Sequence, residues 1–66
     1  MSNYLPHQQR VVDEKKELDE KLSKLDAFLR TDTFKSLRNE EQILLDRQAT
    51  AMRIYSGILG ERIKLF

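Results

Sequence analysis

Apolar residues recur along the first half of the chain with alternating spacings of three and four residues. This alternation is typical of the seam of a coiled coil or a helical hairpin, because it keeps one stripe of a helix facing its partner. It predicts a first helix over about residues 6–30, and Pro6 suits its first turn because that position needs no N–H. The stripe consists of Tyr4, Val11, Leu18, Leu22, Leu25 and Leu29.

A connector over about residues 31–39 is expected to follow this helix. Thr31 and Asp32 favour turns, since their side chains compete for backbone hydrogen bonds. Phe34 and Leu37 have the spacing of one short helical turn, which would fold back onto the core.

A second helix is predicted over about residues 40–64, where Asn39 and Gln42 have the spacing of a capping box. Its apolar residues occupy two adjacent stripes, so its apolar face is wider than that of the first helix. One partner helix cannot cover both stripes, and we expect the uncovered part to form a subunit interface. The residues expected in that interface are Leu44, Ala51, Ile54, Ile58 and Leu65.

The shortness of the connector makes the two helices antiparallel. Pairing them about a turn near residue 35 brings Lys15 near Tyr55 and Arg10 near Gly60. We therefore expect an all-α fold in which residues 1–66 form one antiparallel, coiled-coil-like two-helix hairpin with a short helical turn in its connector. This hairpin is expected to assemble into a homo-oligomeric helical bundle.

Composition supports association and limits the possible partners. The chain has 66 residues and no cysteine, so neither disulfides nor thiolate metal sites can stabilise it. A domain of this size buries only about 60% of its unfolded surface and is marginal alone. The formal net charge is +1 with interleaved signs, which argues against direct DNA or RNA binding. No apolar run has the length of a membrane span, and we expect a soluble intracellular protein.

Three small residues lie close together near the end of the second helix: Ser56, Gly57 and Gly60. A glycine inside a helix costs about 1 kcal/mol relative to alanine, so each needs an explanation. One explanation is close packing of another backbone, from the first helix or from a second subunit. A second is that Gly60 ends the helix. A third is that a flat ligand lies against exposed backbone there.

Basic and aromatic residues gather at the end of the rod where the chain begins and ends. Arginine and lysine suit phosphate recognition, the start of the first helix carries partial positive charge, and tyrosine offers a stacking surface. The alternative is that these cations belong to a solvated helix end that matches the helix dipole. The candidate ligand-binding residues are Tyr4, His7, Arg10, Arg53, Tyr55, Gly57, Gly60, Arg62 and Lys64.

No pattern of catalytic residues is present. A two-helix rod offers no pocket that would shift the pKa of an acid or base, and no serine, histidine and acid have credible triad spacing. His7 is the only histidine, so no zinc ligand set can be assembled. We expect a protein that is not an enzyme and uses neither a metal nor a cofactor.

The segments RVVDEKKELDEKLSKLDAFL and FKSLRNEEQILLDRQATAMRIYSGILGERI resemble a family of very small phage and prophage proteins. That family is related to an uncharacterised protein of a crAss-like phage, and the resemblance covers about residues 8–64. This resemblance implies a phage origin but does not indicate any particular activity. The architecture is also similar to phage anti-CBASS and anti-Thoeris sponges, which trap nucleotide immune signals between subunits through arginine, lysine and aromatic residues.

The resemblances, the small-residue patch, the clustered arginines and the wide apolar face lead to two main hypotheses from different classes. A purely structural phage component is a third interpretation. The first is a viral anti-defence protein in the host cell cytoplasm that binds a cyclic oligonucleotide or a cyclic ADP-ribose type signal, without chemistry, between subunits. The second is an inhibitor or adaptor that lays its apolar helix face against a host defence protein. A stable homo-oligomer favours the first hypothesis, and a monomer that needs a partner favours the second.

Overall fold

The computed structural model describes residues 3–66 as three helices in a slender rod of 46 × 19 × 13 Å. Helix α1 spans Pro6–Phe28, α2 spans Asp32–Lys35, and α3 spans Asn39–Lys64. Within the described residues all regular structure is helical, and the two long helices pack along each other. The expected all-α fold with two packed long helices is therefore confirmed.

Helix α1 stops two residues earlier than the stripe suggested. Thr31 donates its hydroxyl to the carbonyl of Phe28 at 2.6 Å, and the Arg30 N–H bonds the carbonyl of Ala27 at 3.2 Å. These bonds satisfy carbonyls that lose their partners where a helix ends. Thr31 also accepts from the Phe34 N–H at 3.2 Å, so one side chain closes α1 and caps α2.

Helix α2 returns the chain onto the rod. The Phe28 and Phe34 rings meet edge to face, with centroids 6.1 Å apart and an interplanar angle of 77°. Leu37 is also half-buried, so both apolar residues of the connector face inward.

The expected capping box at Asn39 is wrong. Arg38 is the N-cap, with an extended backbone and no side-chain capping bond, and Asn39 is already helical. The Gln42 amide points instead into the connector, where it donates to the carbonyls of Lys35 at 3.1 Å and Leu37 at 2.8 Å. Those carbonyls would otherwise lack partners, which explains why tertiary contact overrides the local pattern.

Contacts between α1 and α3 show that they run antiparallel. Tyr4 meets Phe66 at one end, and Lys15 bonds Ser56 further along, one residue from the expected pairing with Tyr55. Lys15, rather than Arg10, approaches Gly60, since a Cβ built there would lie 3.4 Å from the Lys15 Cε.

The core along this contact is small. Four apolar residues are buried: Val11, Leu18, Ala49 and Leu59. Met52 and Ile63 pack against this core while remaining partly exposed. So small a core gives a single chain little stability, and oligomerisation therefore stays a prediction with a physical reason.

Candidate functional site

The first turn of α1 and the last turn of α3 share one end of the rod. The rings of Tyr4 and Phe66 mark this end, with centroids 6.0 Å apart and an interplanar angle of 74°. We refer to it as the open end, in contrast to the connector end.

Cations surround the open end without acidic partners. Arg62 and Lys64 lie in the last turn of α3, and Arg10 lies in the second turn of α1. All three are exposed, and among residues 3–66 none forms an ion pair. His7 is exposed in the first turn of α1. Four candidate residues are therefore brought to one end of the molecule.

Arg53 does not belong to this group. Its guanidinium donates to the Asp26 carboxylate at 2.5 Å, an ion pair that ties α3 to α1 away from the open end. Arg62 lies nine positions after Arg53, which corresponds to about 13 Å along the helix axis. Arg53 therefore has an intramolecular partner that the sequence analysis did not foresee.

The candidate residues of α3 project in different directions. Tyr55 and Arg62 are seven residues apart, as are Gly57 and Lys64, and residues with this spacing lie nearly on one line of a helix. Tyr55 and Gly57 are two residues apart, so these two lines lie on nearly opposite sides of α3. One small ligand cannot contact both lines of a single α3.

The two glycines have different surroundings. Nothing lies within 4 Å of a Cβ built on Gly57, whereas Gly60 is half-buried against Lys15. Neither has a positive φ, and α3 continues past both to Lys64, so the interpretation that Gly60 ends the helix is wrong. A Cβ at Gly60 would touch the Lys15 side chain at an ordinary contact distance, while Gly57 presents open backbone.

The residues expected in a subunit interface are all exposed. Leu65 is 87% exposed, Leu44 is 62%, Ile54 is 61% and Ile58 is 53%; Ala51 is exposed as well. Together with Tyr55 they form a continuous strip along α3, which we call the exposed stripe. These side chains stay exposed within the part of the chain that the structure describes.

The sequence analysis missed a polar cluster between the two long helices. The buried Ser56 hydroxyl donates to Asp19, and Lys15 donates to Ser56 at 3.0 Å and to Asp19 at 2.7 Å. Hydrogen bonds from Lys15 and then Ser56 hold the pKa of the Asp19 carboxyl below its ordinary value. Lys15 and Ser56 are polar residues at positions of the helical pattern that are otherwise apolar. This shared departure from the pattern was the sequence signal that could have predicted their contact.

Two shallow grooves lie elsewhere on the rod. One of about 470 Å³ runs beside the polar cluster between Val12, Ser23 and Ile63, and one of about 320 Å³ lies at the connector between Leu29, Phe34 and Asp46. Neither is lined by the cations of the open end. A ligand held by those cations would therefore need further walls from a second molecule.

Residues 3–66 offer neither a metal-binding group of side chains nor a helix suited to cross a membrane. No group of three or more histidine, cysteine or acidic side chains is placed to hold a metal ion. None of the described helices is both long enough and apolar enough to span a membrane.

The fold and the open end define a small helical hairpin with a cationic end and an uncovered apolar face. The chain belongs to the Sequestin family, whose pattern it matches over residues 5–65. The family name suggests a sequestering function, in agreement with the general expectation for this chain. No curated protein and no solved structure matches the chain. The crAss-like phage relationship and the similarity to anti-CBASS proteins stay predictions.

Proposed function

We propose that this protein sequesters a small anionic nucleotide signal, of the cyclic oligonucleotide or cyclic ADP-ribose type, at a site completed by a second subunit. It would bind without chemistry, as a phage counter-defence protein in the cytoplasm of the host cell. The observation that carries the proposal is the group of unpaired, exposed cations at the open end. The sequestering sense of the family name agrees with it.

Electrostatics favours an anion at the open end. Arginine and lysine form charge-assisted hydrogen bonds to phosphate, and their full charges outweigh the partial charges of the two helix ends, which have opposite signs there. Arg10 and Lys64 are the cations that we assign to phosphate, because both are unpaired and neither lies on the exposed stripe. Tyr4 is the stronger candidate for stacking on a base, because its ring lies at the open end and is 41% exposed, whereas Tyr55 lies nine positions before Lys64 on the opposite side of α3.

Isothermal titration calorimetry with a panel of cyclic dinucleotides, cyclic trinucleotides and cyclic ADP-ribose isomers tests the proposal. One class is expected to bind at micromolar protein. Arg10→Ala and Lys64→Ala are each expected to weaken that binding about tenfold or more, the value of a hydrogen bond to a charged group. Lys24→Ala is the matched control, because it removes an exposed lysine far from the open end. Absence of binding by every member of the panel would rule out the proposal.

The exposed stripe favours a second candidate function, docking onto a host defence protein. Four of its apolar side chains are more than half exposed, as in a helix that inserts into a partner's groove. Light scattering separates the two candidates, since a homo-oligomer covers the stripe with its own copies and a stable monomer leaves it for another protein.

A further inference from the structure

The exposed stripe contains a regular seven-residue repeat. Leu44, Ala51, Ile58 and Leu65 follow one another at intervals of seven, and the three large residues are 53–87% exposed. Seven residues are close to two helical turns, so these side chains form a nearly straight line along α3. Such a line is the geometry that long helices use to pack side by side.

The first three members of the repeat, Leu44, Ala51 and Ile58, are symmetric about the small one. Leu44 and Ile58 lie seven residues on either side of Ala51, so a two-fold axis beside Ala51 pairs each Leu44 with the Ile58 of a second copy. The small side chain of Ala51 at the centre lets two helix axes approach closely. Helices that pack through such a contact have axes about 8–10 Å apart.

Charges on the same line select the direction of pairing. Glu40 lies four residues before Leu44, Arg62 lies four residues after Ile58, and both are eleven residues from Ala51. Antiparallel pairing therefore sets Arg62 of each copy against Glu40 of the other, whereas parallel pairing in register sets like charge against like charge. Neither side chain forms an ion pair within residues 3–66, so both are available.

We propose that a second copy of this chain covers the exposed stripe, with its α3 antiparallel to the first, a two-fold axis beside Ala51 and reciprocal Arg62–Glu40 ion pairs. The inference rests on the proposed function, because it identifies the second subunit that the proposed site requires. Its structural support comes from α3 alone. The pairing also reduces the number of cations available to bind the anion. Arg62 gains an acidic partner, which leaves Arg10 and Lys64 to bind phosphate.

Disulfide trapping tests the direction of pairing. The chain has no cysteine, so Leu44→Cys and Ile58→Cys each introduce a single thiol at an exposed position. After mild oxidation, antiparallel pairing gives a cross-linked dimer only when the two variants are mixed, because each position faces the other. Cross-linking of each variant with itself would show parallel pairing and overturn the proposal.

Asp46→Cys is the matched control, since Asp46 is exposed on a different side of α3 from the stripe. It is expected to cross-link with neither variant. If no variant cross-links and sedimentation shows a monomer, the proposal also fails, and the stripe is left for a different protein.

A charge exchange tests the ion pair. Arg62→Glu is expected to raise the dimer dissociation constant at least tenfold in analytical ultracentrifugation, and adding Glu40→Arg to that variant is expected to restore it. Lys24→Glu makes the same change of charge on α1, away from the stripe, and should leave the dissociation constant unchanged. Equal weakening by Lys24→Glu, or no recovery in the double variant, would overturn the assigned pairing.

The two proposals fail separately. An antiparallel dimer that binds no nucleotide in calorimetry would refute the proposed function and leave the pairing intact. Nucleotide binding by a protein whose cross-links show another arrangement would refute the pairing and leave the function intact.

Discussion

The two sides of α3 carry similar apolar residues in opposite surroundings. On the side that faces α1, Ala49 and Leu59 are completely buried, whereas on the exposed stripe Leu44 and Leu65 are more than half exposed. A single partner helix explains the first side and leaves the second uncovered. The difference indicates that one side of α3 stabilises the chain and the other is available for association, and each prediction below separates these two roles.

The largest effect is expected from Leu59→Ala, because Leu59 is the largest completely buried side chain. Its truncation should lower the free energy of unfolding by about 2–5 kcal/mol, which a domain with so small a core cannot easily tolerate. Circular dichroism during urea titration measures the loss, which should not depend on protein concentration.

Leu65→Ala is the control from the other side of the helix. Because Leu65 is 87% exposed, its truncation should change the stability of a single chain by no more than about 0.5 kcal/mol. Any larger loss should appear only at concentrations where copies associate. A large loss that does not depend on concentration would contradict the division of α3 into two roles.

A medium effect is expected from Ser56→Ala on the covered side. The substitution removes the hydrogen bonds that the Ser56 hydroxyl makes with Asp19 and Lys15. It should cost about 1 kcal/mol in urea titration, since the two charged partners stay paired and in contact with water. Ser23→Ala removes an exposed hydroxyl and should have little effect on the free energy of unfolding. Equal losses of stability in the two variants would show that the polar cluster does not stabilise the fold.

A smaller, pH-dependent effect is expected from Asp19→Asn. Because folding lowers the pKa of Asp19, its contribution to stability is fully present above the ordinary value near 3.8 and is lost as pH falls through the folded value. The urea midpoints of the wild type and the variant should therefore differ at pH about 7 and converge at pH about 2.

Asp46→Asn is the matched control for that titration. It alters an exposed carboxyl whose side chain has no hydrogen bond among residues 3–66. Its urea midpoint should follow the wild type at both pH values, and a gap for Asp19→Asn that stays constant with pH would contradict the assigned linkage.

The smallest effect, and one of opposite sign, is expected from Gly57→Ala. An added methyl group meets nothing within 4 Å, and alanine restricts the unfolded chain, so stability should rise by about 0.4–1 kcal/mol. Thermal unfolding measures this gain. Gly60→Ala should gain less because its methyl group would lie 3.4 Å from the Lys15 Cε. If Gly57→Ala weakens nucleotide binding while raising stability, the open backbone is part of the ligand site.

The long helices could be predicted because their spacing is a local property of the sequence. The capping box failed because Gln42 finds better partners in the connector, which local spacing cannot show. The candidate ligand-binding residues do not form a single patch, for a similar reason. The sequence analysis treated the end of α3 as one patch, although Tyr55 and Gly57 point to nearly opposite sides of the helix. It also did not foresee that Arg53 pairs with an acidic residue of α1.

The polar cluster shows what sequence reasoning could have gained. Lys15 interrupts the apolar stripe of α1, and Ser56 interrupts that of α3, at positions predicted to lie one residue from direct pairing. Two polar interruptions at the same level of an antiparallel pair predict a hydrogen bond between them. The third member, Asp19, follows Lys15 by one helical turn, the spacing at which opposite charges pair.

The contacts between the long helices differ at the two ends of the rod, so the two ends should differ in local stability. The connector end is tied by the Gln42 amide and by the edge contact of Phe28 with Phe34. At the open end the Tyr4 and Phe66 rings make an edge contact just outside the two helices, beyond the buried residues Val11 and Leu59. Local unfolding should start there and spread toward the connector. Amide hydrogen exchange would then show a gradient along the rod, fastest beside the cations that we assign to the nucleotide and slowed when the nucleotide binds.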